Sequence, residues 1–151
     1  METELLTPDE AGLQKAAELI REGQVVGMPT ETVYGLAADA TNRDAVAKVF
    51  VAKGRPMDNP LIVHISSMEE LEQAVSRVPE LVASLADAFW PGPLTMIMSK
   101  SERIPMETSG GLDTVGVRMP SHPVAQALIR TVGVPLAAPS ANRSGYPSPT
   151  T

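Results

Sequence analysis

Apolar and polar residues recur along this chain with two periods, which predict short helices and short strands. Helical spacing follows five start signals, so helices are predicted to begin near Thr7, Asn42 or Thr41, Ser67, Pro79 and Pro123. Apolar or alternating runs bounded by Gly and Pro predict five strands, at 25–28, 61–65, 94–98, 114–118 and 136–138. The segments 30–36 and 101–111 are predicted to be loops.

Individual residues predict the ends or the apolar face of two of these helices. Thr7 is the predicted N-cap of the first helix, with capping-box spacing to Glu10, and Gly23 is its predicted stop. The predicted apolar stripe of this helix is Leu13, Ala16, Ala17 and Ile20. The predicted apolar positions of the helix after Pro79 are Leu81, Val82, Leu85 and Phe89. The tryptophan that follows, Trp90, is predicted to lie in the core.

Composition narrows the class of protein. The chain has 151 residues, 43% of them hydrophobic, and a mean hydropathy of +0.00, which fits one globular domain with a real core. A net charge of −6 argues against a surface that coats nucleic acid, so a bound anion requires a local cluster of cations. Cysteine is absent, which excludes disulfides and thiolate chemistry. No apolar run approaches membrane-spanning length and the first residues are acidic, so we predict a cytosolic protein without membrane contact.

A pair of cations marks the first candidate site. Lys53 and Arg55 are separated by Gly54 and followed by Pro56, on a stiff loop between a helix and a buried strand. This arrangement suits a polyanion. The alternatives are an ordinary basic turn and, for Lys53, a charge that offsets the helix dipole.

Hydroxyl and amide groups mark two further loops. Thr30, Thr32 and Tyr34 come just past a strand end, where open α/β sheets bind ligands, and Ser140 and Asn142 follow the last predicted strand. A turn that satisfies its own backbone would explain the first group as well. Convergence of the three loops on one cleft is the simplest functional hypothesis.

Two polar residues occur within predicted strands. His64 interrupts the apolar strand 61–65, with Val63 and Ile65 expected on the opposite face, and Arg118 ends the strand 114–118. A structural hydrogen bond for His64 and a salt bridge for Arg118 are the alternatives to ligand binding.

Five segments together resemble a known family. They are Pro29–Leu36, Lys53–Pro56 with Asn59–Leu61, Trp90–Thr95, Val117–Pro120 and Pro139–Asn142. In this order they resemble the YrdC-like family, the threonylcarbamoyl-AMP synthases. The resemblance implies an α/β fold with a twisted mixed β-sheet flanked by helices and a large positively charged cleft. It also implies a reaction in which L-threonine, bicarbonate and ATP give L-threonylcarbamoyl-AMP and pyrophosphate, for N6-threonylcarbamoyladenosine modification of tRNA.

The resemblance also implies roles for individual residues. The ATP phosphates, with Mg²⁺ carried on ATP, would be held by Lys53, Arg55, Ser140 and Asn142. The rest of the nucleotide site would be lined by Asn59, Thr114 and Ser148. Threonine would be held by Thr32, His64, Arg118 and the backbone of Ala138. No protein nucleophile and no protein metal ligand are implied, and Glu31 and Tyr34 are open candidates for proton transfer.

Family members continue beyond the Ser140–Asn142 segment, so we expect residues 1–151 to be a catalytic domain that is incomplete at its C-terminus.

The resemblance leaves two other functions open. One alternative is the carbamoyl-adenylate-forming module of a carbamoyltransferase, which needs appended domains. The other is a non-catalytic protein that binds double-stranded RNA or tRNA, which the acidic net charge disfavours. In the synthase interpretation, the product passes to a tRNA-modifying complex.

Overall fold

The computed structural model describes residues 9–29, 34–53 and 60–138, and these contain six helices and six strands. In chain order the elements are α1 (Glu10–Arg21), β1 (Val26–Pro29), β2 (Tyr34–Asp39), α2 (Arg43–Lys53), β3 (Ile62–His64), α3 (Met68–Ala74), α4 (Glu80–Phe89), β4 (Thr95–Ser99), α5 (Met106–Ser109), β5 (Thr114–Arg118), α6 (Pro123–Val132) and β6 (Leu136–Ala137). None of the helices in this part of the chain has the length and apolarity to cross a membrane.

The strands form one mixed sheet in the order β1-β2-β6-β3-β5-β4. The pair β3 and β5 is parallel, and every other described pair is antiparallel. Helices flank the sheet, so the predicted α/β fold with a mixed sheet is confirmed.

The two faces of the sheet are packed differently. One face carries Val63, Val117 and Met96 and packs into a core with residues of α2, α3 and α4. The other face is covered over β1, β2 and β6, where Leu136 and its neighbours pack against α1 and α6. This second cluster includes the predicted stripe residues Ala16, Ala17 and Ile20, with Leu13 partly buried beside them.

Caps set where three helices begin. The prediction of Thr7 as the first cap is wrong, because Asp9 is the N-cap and its Oδ1 accepts a hydrogen bond from the backbone N–H of Gly12 at 2.8 Å. Asn42, not Thr41, caps α2 by accepting from the backbone N–H groups of Asp44 and Ala45. Ser67 caps α3 as predicted. A carboxylate accepts hydrogen bonds from a helix start at least as well as a hydroxyl does, which is why the nearer Asp9 defines the first turn.

The largest error of the sequence prediction is strand β2. The segment 30–36 was predicted as a loop, but the chain pairs again from Tyr34 and forms an antiparallel hairpin with β1. Gly35, Ala37, Ala38 and Asp39 in this strand have low strand propensity, and Ala37 and Ala38 are fully buried on opposite faces of the sheet. Tertiary packing on both faces therefore stabilises a strand that its composition does not predict.

Two smaller predictions are also wrong. The segment 101–111 contains the short helix α5, which ends at Gly110 in the left-handed conformation. In α4 the residues Leu81 and Phe89 are exposed, because Val82 and Ala86 form the buried side of this helix. Trp90 is buried as predicted and donates from Nε1 to the carbonyl oxygen of Leu94 at 2.8 Å.

Candidate active site

The sheet face that carries His64 is only partly covered over β3, β5 and β4 by the described helices. On this face α1 and α6 reach as far as β6, where Leu136 and Ala138 are buried. On the next strands, Ile62 is 37% exposed and Ile97 is 73% exposed. Within the described residues this face is therefore accessible at Ile62 and Ile97, and we call the face of β3, β5 and β4 that carries His64 the open floor.

The side chains on this floor stand in rows, because register partners on neighbouring strands point to the same face. From the carboxyl end of β5 to its amino end, the rows are His64 with Arg118 and Thr95, then Ile62 with Gly116 and Ile97, then Thr114 with Ser99. We call them the charged row, the apolar row and the hydroxyl row. The rows bring together side chains that are spread over the segment 62–118 of the sequence.

His64 and Arg118 are register partners across the parallel pair β3 and β5. Their side chains are only 3% and 7% exposed. The Nδ1 atom of His64 lies 3.1 Å from the carbonyl oxygen of Ile62, and since a carbonyl only accepts, Nδ1 is the donor in this contact. The predicted structural hydrogen bond of His64 is therefore present, and it orients the ring beside the arginine.

The turn before β4 holds Arg118 in place. Its Nε donates to the carbonyl oxygen of Gly92 at 3.0 Å, and the Gly92 N–H donates to the carbonyl oxygen of Met119 at 2.8 Å. Only glycine fits this turn, since a Cβ at position 92 would lie 2.7 Å from the carbonyl oxygen of Phe89. The first hydrogen bond orients the guanidinium group and the second holds the Gly92 turn beside β5, and a bidentate contact with a carboxylate requires such an oriented guanidinium plane.

A buried carboxylate stabilises the connection that follows His64. Glu70 in the first turn of α3 is 6% exposed, and its Oε1 accepts from the Ser66 N–H at 2.9 Å and from the hydroxyls of Ser66 and Ser67. In the same connection the Ile65 N–H donates to the carbonyl oxygen of Arg118 at 3.0 Å. Glu70 thereby helps to hold the carboxyl ends of β3 and β5 together.

Two other predicted site residues lie on or beside the same floor. The Ala138 N–H donates to the carbonyl oxygen of Ile62 at 3.0 Å, which continues the pairing of β6 with β3. Thr114 begins β5, four residues before Arg118, and is half-buried. At a rise of about 3.3 Å per residue, Thr114 and Arg118 are roughly 13 Å apart along the strand.

The remaining predicted site residues cannot be placed. Lys53 ends α2, as predicted, but its side chain lies outside the described part of the structure. The other predictions that fall on residues outside it are Thr30, Glu31, Thr32, Arg55, Asn59, Ser140, Asn142 and Ser148. The side chain of Tyr34 is likewise not described.

A separate cavity of about 440 Å³ lies between the start of α2 and the loop before α5. Its walls include Asn42, Arg43 and Arg103, and none of the predicted site residues lines it. The Asn42 side chain already caps α2 there, and Arg43 forms an ion pair with Glu107 at 3.0 Å. The open floor beside His64 and Arg118 is therefore the better candidate for the active site.

Comparison with known proteins identifies the family. The model of the Sua5/YciO/YrdC family, described as telomere recombination, matches residues 18–151. The chain belongs to this family.

Two curated members of the family show the degree of similarity. The threonylcarbamoyl-AMP synthase of Pyrococcus abyssi is 56% identical over 142 residues, which are 94% of this chain and 42% of that protein. The threonylcarbamoyl-AMP synthase of Bacillus subtilis is 52% identical over 149 residues, which are 98% of this chain and 43% of that protein. The chain thus spans about two-fifths of the length of these relatives.

A solved structure of the same family has the same fold. Sua5 of P. abyssi, crystallised with L-threonine, superimposes with a TM-score of 0.91 at 55% identity, over 93% of this chain and 42% of that one. This similarity bears out the fold implied by the sequence resemblance.

Sequence reasoning missed several residues of this candidate site. Gly116, Ile62 and Ile97 form the apolar row, and Gly92 anchors Arg118. A usable signal for Gly116 is its position two residues before Arg118 and two after Thr114, because alternate residues of a strand share a face. Neither Gly92 nor the cross-strand partners could be found in this way, since pairing depends on the tertiary fold.

Proposed function

We propose that this chain carries the catalytic site of a threonylcarbamoyl-AMP synthase. Membership of the Sua5/YciO/YrdC family and the names of the relatives at 56% and 52% identity support this function. The observation that carries the proposal is the buried pair His64 and Arg118 at the carboxyl ends of β3 and β5.

Arg118 is suited to bind the threonine carboxylate. A planar guanidinium group fixed through Nε presents its other nitrogens in one plane, which matches the two oxygens of a carboxylate. Burial strengthens the contact because water screens it less. His64 and the Ala138 backbone would then contact the amino and hydroxyl groups of the same substrate.

The reaction requires orientation and charge screening more than a protein nucleophile. The threonine amine attacks bicarbonate and water leaves, which gives a carbamate. A carbamate oxygen then attacks the α-phosphorus of ATP in line, and the bond to pyrophosphate breaks. The cations Lys53 and Arg55, with Ser140 and Asn142, would hold the phosphates, and Asn59, Thr114 and Ser148 would line the rest of the nucleotide site. Thr32 would complete the threonine pocket.

We expect Mg²⁺ to enter with ATP. The described residues contain no group of three or more His, Asp or Glu side chains that could hold a metal ion. Bound to the phosphates, Mg²⁺ would reduce the repulsion between the triphosphate and the incoming carbamate. The product is an activated threonylcarbamoyl group, and we propose that it is consumed by a tRNA-modifying complex.

Pyrophosphate release tests the proposed function. The purified protein at its natural length should release pyrophosphate only when threonine, bicarbonate and ATP are all present, and mass spectrometry should detect threonylcarbamoyl-AMP. Omission of threonine or of bicarbonate is the control. Release that depends on carbamoyl phosphate instead would favour the carbamoyltransferase alternative, and ATP-independent binding of tRNA without release would favour the RNA-binding one.

A further inference from the structure

Gly116 occupies the centre of the open floor. It lies in the apolar row between Ile62 and Ile97, and on its own strand it lies between Thr114 and Arg118 on the same face. At about 3.3 Å per residue, it is roughly 6.6 Å along the strand from each of these two residues. Gly116 is thus equidistant from Arg118, which is proposed to bind threonine, and Thr114, which is proposed to line the ATP site.

We propose that Gly116 is a positioning residue whose missing side chain leaves the clearance in which the threonine carbamate approaches the α-phosphate. This inference rests on the proposed function. The reacting atoms lie between the two substrates, so they must pass over the middle of the floor if Arg118 and Thr114 hold the outer ends. A side chain at Gly116 would raise the floor at that point and separate the carbamate oxygen from the phosphorus.

The backbone does not explain why glycine occupies this position. Gly116 does not have a positive φ, so any residue could adopt its conformation. A glycine within a strand weakens it, because it adds chain entropy and contributes no side-chain packing. The presence of glycine at position 116 therefore requires an explanation other than backbone conformation.

Packing against the neighbouring strand β4 is the competing explanation for a glycine at position 116. A Cβ at Gly116 would lie 3.2 Å from Cγ2 of Thr95, which is closer than an ordinary contact. Thr95 is exposed, so its side chain can shift slightly to accommodate the new atom. Replacing Thr95 by serine removes this methyl group, so the packing cost and the clearance above the floor can be separated.

The side chains on either side of Gly116 support the proposed space for the reacting atoms. Ile62 and Ile97 have no polar group that could hold the reacting atoms, and both are exposed. Anions on this row would therefore be oriented from its two ends, by the charged row and by the hydroxyl row. If the substrates are oriented only from the two ends, the distance between their reacting atoms depends on the size of the side chain at position 116 between them.

The experiment compares Thr95→Ser with the double variant Thr95→Ser/Gly116→Ala in the protein at its natural length. Binding of threonine alone and of ATP alone is measured by calorimetry, and kcat is measured by pyrophosphate release. We expect each substrate to bind both variants alike within about twofold, while kcat falls on the order of 10²-fold in the double variant, since a misplacement of about 1 Å has this effect.

Gly27→Ala is the matched control, since Gly27 also lies in a strand and a Cβ there meets no atom within 4 Å. It should leave both binding and kcat at the parental values. The proposal is overturned if the double variant keeps the kcat of Thr95→Ser. It is also overturned if the double variant loses binding of one substrate alone by the same factor as kcat. If the parent protein releases no threonine-dependent pyrophosphate, the proposed function itself fails, and this inference falls with it.

Discussion

The guanidinium Nε of Arg118 donates to the carbonyl oxygen of Gly92 at 3.0 Å, which joins the end of β5 to the turn before β4. The two residues are 26 positions apart in the chain, and the contact is buried. A side chain that the sequence places at a strand end is therefore held rigidly by a turn in another part of the sheet. This relationship leads to the first two predictions.

Replacing Arg118 by lysine should weaken threonine binding by roughly 10- to 100-fold, or about 1.5–3 kcal/mol. Lysine keeps the charge, but an ammonium group has no Nε donor for the Gly92 carbonyl and no planar fork for a carboxylate. Calorimetric titration with threonine measures the effect. Arg77→Lys, at an exposed position, is the control and should bind threonine like the parent. Parental affinity in Arg118→Lys would contradict the proposed carboxylate clamp.

Gly92→Ala should destabilise the protein by about 1–3 kcal/mol, because the new Cβ has to displace backbone. The displaced atom is the carbonyl oxygen of Phe89, which would be 2.7 Å away. The shift should also disturb Arg118 and reduce threonine affinity. Denaturant unfolding and threonine titration are the measurements, with Gly27→Ala as the control in open space. If Gly92→Ala is as stable as Gly27→Ala, the turn is more adaptable than its geometry indicates.

Glu70→Ala should cost at least about 1.5 kcal/mol of unfolding free energy, since it removes a charged acceptor of several hydrogen bonds. The backbone N–H of Ser66 and the hydroxyls of Ser66 and Ser67 would lose their partner. Glu69→Ala is a matched control, because Glu69 is exposed in the same first turn of α3 and shares its interaction with the helix dipole. Urea unfolding of both variants measures the difference. Equal losses of unfolding free energy in the two variants would mean that the hydrogen bonds of Glu70 add no stability beyond its interaction with the helix dipole.

Glu70→Gln refines this test. The amide oxygen can still accept from the two serines, so part of the lost stability should return. The Oε2 atom of Glu70 is buried with no hydrogen-bond partner among the described residues, and an amide nitrogen in its place would have no acceptor there. We therefore expect a stability between those of the parent and Glu70→Ala.

Lys53→Ala and Arg55→Ala should each weaken ATP binding by roughly 10- to 100-fold, because each removes a charge-assisted contact to a phosphate. Threonine binding should change little. Calorimetric titration of each variant with both ligands measures this. Lys48→Ala serves as the control, since Lys48 lies on the same helix and its Nζ donates to the Gly23 carbonyl oxygen at 3.0 Å. Equal losses for ATP and threonine would refute the assignment of Lys53 and Arg55 to phosphates.

The sequence predicted those elements whose signals are local. Strand β5 has the predicted bounds, and α6 begins at Pro123 and stops before Gly133 as expected. Proline at a first helical position and glycine in the left-handed conformation act through their own backbone, so they can be recognised without knowledge of the fold. Strand β2 was missed for the opposite reason, because Ala37 and Ala38 are stabilised by packing on the two faces of the sheet.

The same division holds for the active site. The residue types of His64 and Arg118 and their positions at strand ends can be read from the sequence by itself, and so can the motifs that identify the family. Which strands are neighbours is decided only when the sheet forms, because pairing in β3 and β5 joins residues 54 positions apart, as the difference between 118 and 64 shows. The tertiary structure therefore decided that His64 adjoins Arg118, that Gly92 holds Arg118, and that Gly116 lies between Ile62 and Ile97 on the same sheet face.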